Sequence, residues 1–206
     1  MSKKKYKLTV EPITCVHIGT GVQISPLDFV FRFSKQGRTL FVKYSTDSIL
    51  HRIATDSQKA KEFDRASSSG NLKDMYEFFN ENVNTTQDKE YICHVTNEFQ
   101  RNYQAKKDGN PLDNALLVNQ MYRPEGIMAP VIPGSSLKGS IRTAILNAAL
   151  DETYMRDKLP RDDRRLQQEL LDYKDAKQDP FHAVQIGDCK FLAKGTQLVG
   201  LVKNVM

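Results

Sequence analysis

The sequence lacks any long hydrophobic run. No stretch of its 206 residues approaches the roughly 18 consecutive apolar residues that a membrane-spanning helix requires, which excludes an integral membrane protein of that class. The N-terminal segment MSKKKYKLTV is basic, but no apolar segment of the kind found in a secretory signal follows it. These two absences predict a cytoplasmic protein.

Cysteine is also scarce. The three cysteines, Cys15, Cys93 and Cys189, lie far apart and form no C-x-x-C pair, so neither a disulfide framework nor a thiolate zinc site is indicated. His94 beside Cys93 has no second ligand pair at the usual spacing. No phosphate-binding loop of the Walker A type is present. We therefore expect reduced thiols, no bound metal or cofactor, and no nucleotide hydrolysis.

The charge balance is mildly basic. Lys and Arg number 30 against 25 Asp and Glu, which gives a net charge of +5. This balance is weak evidence for a polyanionic partner, because many basic proteins carry their charge on a solvated surface that binds no ligand. The length predicts a single domain, residues 1–206, with an insertion at about 55–124 where the pattern of secondary structure weakens.

Alternating apolar and polar residues predict several strands. The alternation over 6–10 predicts a first strand, and the runs 29–33 and 40–44 predict a β-hairpin. Two more short strands are expected at 185–188 and 196–203.

Helices are predicted from capping residues and from apolar spacing. Ser45 or Thr46 is expected to cap a short helix, 72–79 and 91–99 are predicted as further short helices, and a long helix is predicted from 134 to about 150. The long helix carries an apolar stripe: Leu137, Ile141, Ala144, Ile145 and Ala148. The order of elements predicts an α+β fold with helices on one side of an antiparallel sheet, most economically a ferredoxin-like βαββαβ unit.

The start of the long helix is the most informative segment. Ser135 or Ser136 is expected to cap it, and the free N–H groups of the first turn then lie beside Lys138 and Arg142. Backbone donors, the positive end of the helix dipole and two cations would converge there on one anion, which predicts a phosphate cradle. The other interpretation is an ordinary capped helix whose basic residues face solvent.

Two further candidates lie near the N-terminus. His17 is followed by Gly19 and Gly21, so an imidazole lies near exposed backbone where a base or a phosphate would bind. The other interpretation is a histidine that packs in a turn. Asp28 lies in a loop, where an aspartate assists metal-dependent or acid–base cleavage of RNA or, more commonly, caps a turn. We expect no catalysis from it.

Two motifs carry a resemblance to a known family. Val16 to Gly21 reads hydrophobic-His-Ile-Gly-x-Gly, and Ile132 to Arg142 reads Ile-Pro-Gly-Ser-Ser-Leu-Lys-Gly-x-Ile-Arg. Together they resemble the RAMP superfamily of CRISPR-associated proteins. The segments 25–30 and 179–189 resemble the end-cap subunit of the type III-A (Csm) effector complex. Nothing after Gly200 supplies the glycine-rich loop of the family's second half, which predicts a truncated or split form, or a neighbouring branch.

The resemblance implies an RRM-like or ferredoxin-like core with a partly helical insertion. It also implies a function in antiviral defence: a subunit of a type III CRISPR ribonucleoprotein that binds the 3′ side of the CRISPR RNA and caps the filament of RAMP backbone subunits. Its partners would be CRISPR RNA, those backbone subunits and target RNA. In this hypothesis the guide backbone is gripped by two groups of residues: His17, Gly19 and Gly21, and Gly134, Ser135, Ser136, Lys138, Gly139 and Arg142.

Two other functions remain open at this point. The first is an endoribonuclease of the RAMP backbone type that uses Asp28 or His17. The family's backbone subunits cut target RNA with an aspartate in a loop, but Asp28 lies in a different sequence setting, so that activity is not carried over. The second is a scaffold that contacts only protein.

Overall fold

The structure is a computed structural model that describes residues 4–107, 116–127, 129–153, 160–191 and 197–201. Its strands are β1 (Gly19–Ile24), β2 (Phe29–Phe33), β3 (Thr39–Tyr44), β4 (Lys89–Val95), β5 (Val118–Met121), β6 (Val131–Ile132), β7 (Cys189–Lys190) and β8 (Leu198–Val199). Its α-helices are α1 (Thr46–Ala54), α2 (Ser57–Ser68), α3 (Leu72–Asn82), α4 (Asn97–Lys107), α5 (Gly134–Thr153) and α6 (Asp163–Leu170). Short 3₁₀ turns span Pro26–Asp28 and Pro180–Ala183. Over these ranges, no helix has the length and apolar character needed to cross a membrane.

The main sheet has four strands in the order β2, β3, β4, β8. The first three pair antiparallel, whereas β8 runs parallel to β4. Two smaller ladders, β1 with β5 and β6 with β7, are antiparallel. The α+β class predicted from the sequence is confirmed, but the expectation of a purely antiparallel sheet is wrong, because β8 closes the edge in parallel.

Both faces of the main sheet are buried, so the expectation of helices on one side is also wrong. Side chains alternate between the two faces of a strand, and both β2 and β3 carry apolar side chains on each face. On one face, Val30 and Val42 pack against α1, α2 and α3 in a single apolar cluster. On the other, Phe29 and Phe41 pack against α4 and the end of β1. The helices therefore lie on both sides of the sheet.

Several predicted elements are confirmed. The hairpin forms with Phe33 opposite Thr39, and Ser45 caps α1 by accepting a hydrogen bond from the Ser48 N–H. The helix expected at 72–79 is α3, and the long helix is α5.

Other predicted elements are wrong. Residues 6–10 form no strand and are exposed, because no described strand lies beside them to pair with and bury their apolar side. Residues 91–99 were expected to be helical, yet 89–95 form β4, in which Cys93 is buried while its neighbour Ile92 is exposed. This two-residue period is typical of a strand. Residues 185–188 precede the short β7 ladder and do not form a strand. The segment 55–124, predicted as an insertion, thus supplies a central strand.

A buried carboxylate connects α1 with the start of β4. Asp88 is the buried charged residue of the described chain, and it accepts hydrogen bonds from Arg52 at 2.6 Å, from the Ser48 hydroxyl at 2.8 Å and from the Asn84 N–H at 2.8 Å. Burial by itself raises the pKa of Asp88, but these donors and the charge of Arg52 outweigh it and hold the pKa below its ordinary value.

We predict that Asp88→Asn lowers the free energy of unfolding by about 2 kcal/mol at pH 7, because charge-assisted hydrogen bonds to a buried group are lost. A carboxyl whose folded pKa is lowered stabilises the fold above its unfolded pKa and loses that contribution as pH falls through the folded value. The free energy of unfolding of the wild type, measured with urea, should therefore fall as the pH drops below 3.8, the ordinary carboxyl pKa. The free energy of unfolding of the variant should depend less on pH in this range. The control is Asp64→Asn, at an exposed position of α2. Equal losses for both variants would contradict the prediction.

Candidate nucleic-acid interface

A continuous strip of backbone brings the two sequence motifs together. The Ile18 carbonyl accepts a hydrogen bond from the Tyr122 N–H at 2.7 Å, and the Tyr122 carbonyl accepts one from the Val131 N–H at 3.3 Å. Val131 begins β6, which runs directly into the start of α5 at Gly134. Adjacent strands lie about 4.8 Å apart, so the motif at 16–21 lies about two strand spacings from the strand that leads into the other motif.

The first motif leads into an irregular strand, and its two glycines lie in that strand. Gly19 opens β1, and the pairing with β5 shifts register between Gly19 and Gln23, as in a β-bulge. Gly21 has φ +79°, a left-handed conformation that favours glycine. His17 is exposed, and its Nε2 lies 3.4 Å from where a Cβ on Gly19 would be. The motif therefore presents an imidazole beside uncovered backbone.

The start of α5 is capped differently from the prediction. The Pro133 carbonyl accepts hydrogen bonds from the N–H groups of Ser136 and Leu137, at 3.0 Å and 3.1 Å, so the helix begins at Gly134 and both serines lie in its first turn. The expectation that Ser135 or Ser136 caps α5 is wrong. Proline before a helix begins the ladder with its carbonyl, and because it has no N–H it needs no acceptor of its own.

A carboxylate from elsewhere in the chain lies at this helix terminus. The Gly134 N–H donates to Asp188 Oδ1 at 2.8 Å, which places a negative charge at the positive end of the helix dipole. A Cβ on Gly134 would lie 1.9 Å from the Ile186 carbonyl oxygen, so only glycine fits. The chain's own segment around 186–188 thus covers the start of α5.

The two predicted cations also have partners within the chain. Lys138 donates from Nζ to the Val184 carbonyl at 2.9 Å. Arg142 donates to both oxygens of Asp179, at 2.7 Å and 3.0 Å, to Gln167 Oε1 at 3.0 Å and to the Tyr173 hydroxyl at 3.1 Å. Arg142 and Asp179 each expose 19% of their side chain. We call this group the Arg142 clasp; it ties α5 to α6 and to the segment after it.

Asp179 serves the clasp in two ways. Its Oδ1 also accepts the Phe181 N–H at 2.9 Å, which caps the 3₁₀ turn Pro180–Ala183. Burial raises the pKa of Asp179, but the Phe181 N–H, the donors of Arg142 and the positive charges of Arg142 and Lys138 together hold that pKa below its ordinary value. Asp179 therefore stays ionised at neutral pH.

What remains open on this face is small and polar. Ser135 and Gly139 are exposed, Ser136 is half-buried, and a Cβ on Gly139 would meet nothing within 4 Å. The roles of Gly134, Lys138 and Arg142 in RNA binding stay predictions. Sequence reasoning missed Asp179 and Asp188 as their partners; the signal was an aspartate at each end of 179–188, although nothing local indicated where that segment packs.

Asp28 has a structural partner. Its Oδ2 accepts the Ser25 N–H at 3.1 Å, and the Ser25 hydroxyl accepts the Leu27 N–H at 3.1 Å, which forms a capping box around Pro26–Asp28. Among the residues that the structure describes, no three His, Cys, Asp or Glu side chains lie together as a metal site requires.

Two solved structures are among those similar to this chain. The crystal structure of T. onnurineus Csm5 matches with 23% identity and a TM-score of 0.44, over 66% of this chain and 33% of that one. The chain is similar to Csm5. A chain of the cryo-EM structure of the Csm–crRNA–target RNA ternary complex of a type III-A CRISPR-Cas system matches with 21% identity and a TM-score of 0.44, over 66% of this chain and 30% of that one.

This chain therefore spans about a third of the length of the Csm structures that it matches. No family model and no curated protein matches the chain.

We predict that Arg142→Ala lowers the free energy of unfolding by about 2 kcal/mol, because it leaves the partly buried Asp179 without its charged donors. Lys138→Ala should cost less than about 0.5 kcal/mol, since Lys138 makes one hydrogen bond at the surface. Urea unfolding measures both. Arg164→Ala, at an exposed position of α6, is the control, and an Arg142→Ala protein as stable as that control would show that the clasp is not structural.

Proposed function

We propose that this chain is a non-catalytic RNA-binding subunit of a type III CRISPR ribonucleoprotein effector complex. The observation that carries the proposal is the strip through Ile18, Tyr122 and Val131, which joins the His17 motif to the start of α5. In this proposal the two RAMP-like motifs form one surface that follows the backbone of the CRISPR RNA.

The chemistry of this surface suits a sugar–phosphate backbone. Gly19 and Gly21 expose main chain on β1, and Gly139 leaves α5 uncovered, so a phosphate approaches the backbone without meeting a Cβ. The His17 imidazole beside Gly19 supplies a donor or a stacking face. Contacts of this kind position an RNA without reading its sequence, as binding to variable guides requires.

The segment at 4–7 carries positive charge close in sequence to the His17 motif. Lys4, Lys5 and Lys7 are exposed, and Tyr6 between them is 81% exposed. The segment at 4–7 precedes the His17 motif in the sequence, and the first acidic residue after its lysines is Glu11. Basic residues interleaved with an aromatic are typical of single-stranded RNA contacts.

The finer parts of the proposal follow the family resemblance of the sequence. They are a ferredoxin-like or RRM-like RAMP core, contact with the 3′ side of the CRISPR RNA, a position at the end of the filament of RAMP backbone subunits, and a cytoplasmic location. Target RNA is a further expected partner. Copurification of the chain with tagged backbone subunits, followed by mapping of the crosslinked guide nucleotides, tests the filament position and the 3′ contact together.

We predict that the chain binds single-stranded RNA with little sequence preference and with a steep dependence on salt, at a slope of roughly −0.7 per phosphate neutralised. Replacing Lys4, Lys5 and Lys7 by alanine should reduce the slope of log K against log salt by about 2. Fluorescence anisotropy with two labelled RNAs of unrelated sequence measures both effects.

The control replaces three basic residues of α2 by alanine: Lys59, Lys61 and Arg65. They lie on α2, which packs on the sheet face that carries Val30 and Val42, outside the two motifs. Their loss should therefore leave the slope unchanged. Salt-insensitive binding, or binding of only one of the two RNAs, would count against the proposal.

We predict no RNA cleavage by this chain, because the Asp28 carboxylate accepts the Ser25 N–H within a capping box. Labelled RNA incubated with and without Mg²⁺ or Mn²⁺ should stay intact. Metal-dependent cleavage that Asp28→Asn abolishes would instead support the endoribonuclease function.

A further inference from the structure

The hairpin of β2 and β3 presents an aromatic ring to solvent. Phe29, Phe31 and Phe33 lie on one face of β2, and the first two pack with Tyr103 of α4, at ring centroid distances of 5.6 Å and 4.9 Å. Phe33 continues the row along the strand and is 73% exposed. An apolar ring at the end of a buried aromatic row is positioned by the strand but is not covered by the fold.

The turn that follows Phe33 is held rigidly. The Ser34 N–H donates to the Arg38 carbonyl at 2.9 Å, and the Arg38 N–H donates back to the Ser34 hydroxyl at 3.0 Å. Gly37 has φ +74°, as this tight turn requires. Thr39, directly after the turn, fastens this end of the hairpin to α4 by donating to Gln100 Oε1 at 2.8 Å. The ring therefore projects from a preorganised element.

The hairpin itself carries charge of one sign. No acidic residue occurs from Phe29 to Thr46. Lys35 and Arg38 are exposed in the turn, and no carboxylate within the described ranges forms an ion pair with either. The other two cations of the hairpin are engaged elsewhere, Arg32 with Asn80 and Lys43 with Glu90. The tip thus combines one exposed ring with two unpaired positive charges.

We propose that this hairpin tip is a second RNA contact, in which Phe33 stacks on one unpaired base while Lys35 and Arg38 neutralise the phosphates on either side. Stacking platforms flanked by cations are typical of single-stranded RNA binding and tolerate any base. The absence of acidic residues from the hairpin favours a polyanion over a protein surface, which would present charges of both signs. The inference rests on the proposed function and extends it to a surface outside the two motifs.

The test uses the full chain and a 20-nucleotide fluorescein-labelled oligouridylate measured by anisotropy. Phe33→Ala should weaken binding roughly tenfold, since stacking on one base is lost. Phe33→Tyr should retain wild-type affinity because it keeps the ring. Phe33→Leu should weaken binding as Phe33→Ala does, because leucine supplies apolar area without a π face. The exposure of Phe33 predicts an unchanged melting temperature for all three.

The phosphate contacts of Lys35 and Arg38 are tested by the double variant Lys35→Ala with Arg38→Ala. It should reduce the slope of log K against log salt by about 1.4. The matched pair Lys61→Ala with Arg65→Ala on α2 removes the same charge from another surface and should leave the slope unchanged. Equal effects of the two pairs would overturn the assignment of the phosphates to the hairpin.

The outcomes separate this inference from the proposed function. If the wild type binds the oligouridylate and Phe33→Ala binds equally well, the hairpin contact is overturned while the proposed function stands. If Phe33→Leu binds like the wild type, the contact is not stacking and the inference fails. If the wild type binds no RNA, both fail.

Discussion

The constraint on which the fold depends is the apolar character of both faces of the β2–β3 hairpin. Phe29 and Phe41 are buried on one face, and Val30 and Val42 on the other. A sheet that is apolar on both sides must be covered on both sides, because each exposed face would keep apolar surface in water. The three helices between β3 and β4 cover one face. α4, with the end of β1, covers the other, so the residues that first suggested an insertion are needed to build the core.

The second part of the molecule is organised by charge. α5 begins with its dipole directed at Asp188, and two turns later Arg142 meets Asp179. Both carboxylates come from the same segment, so one stretch of chain satisfies the helix terminus and the helix cation together. The pattern that predicts a phosphate cradle is chemically sound, since an anion does lie at this helix terminus. That anion is a side chain of the same molecule.

The sequence predicted well where the signal is local. The hairpin, the Ser45 cap and the helices α3 and α5 follow from alternation, capping and periodicity within a dozen residues. It failed where a distant segment decides: Asp188 lies at the start of α5 in place of a serine cap, and pairing with β3 makes 89–95 a strand. The meeting of the two motifs was not predictable either, because it depends on hydrogen bonds of Tyr122, a residue outside both.

The apolar stripe of α5 shows the limit of periodicity in another way. Ile145 is 45% exposed, and Ala144 and Ala148 are exposed as well, although their spacing is that of a buried helix face. α5 has 20 residues and is therefore about 30 Å long, whereas the ladder beside its start has two residues in each strand. Leu146, Ala149 and Leu150, which lie outside the predicted stripe, are half-buried instead. Periodicity therefore predicted the helix but not which of its side chains are covered, because that depends on the distant elements that pack beside it.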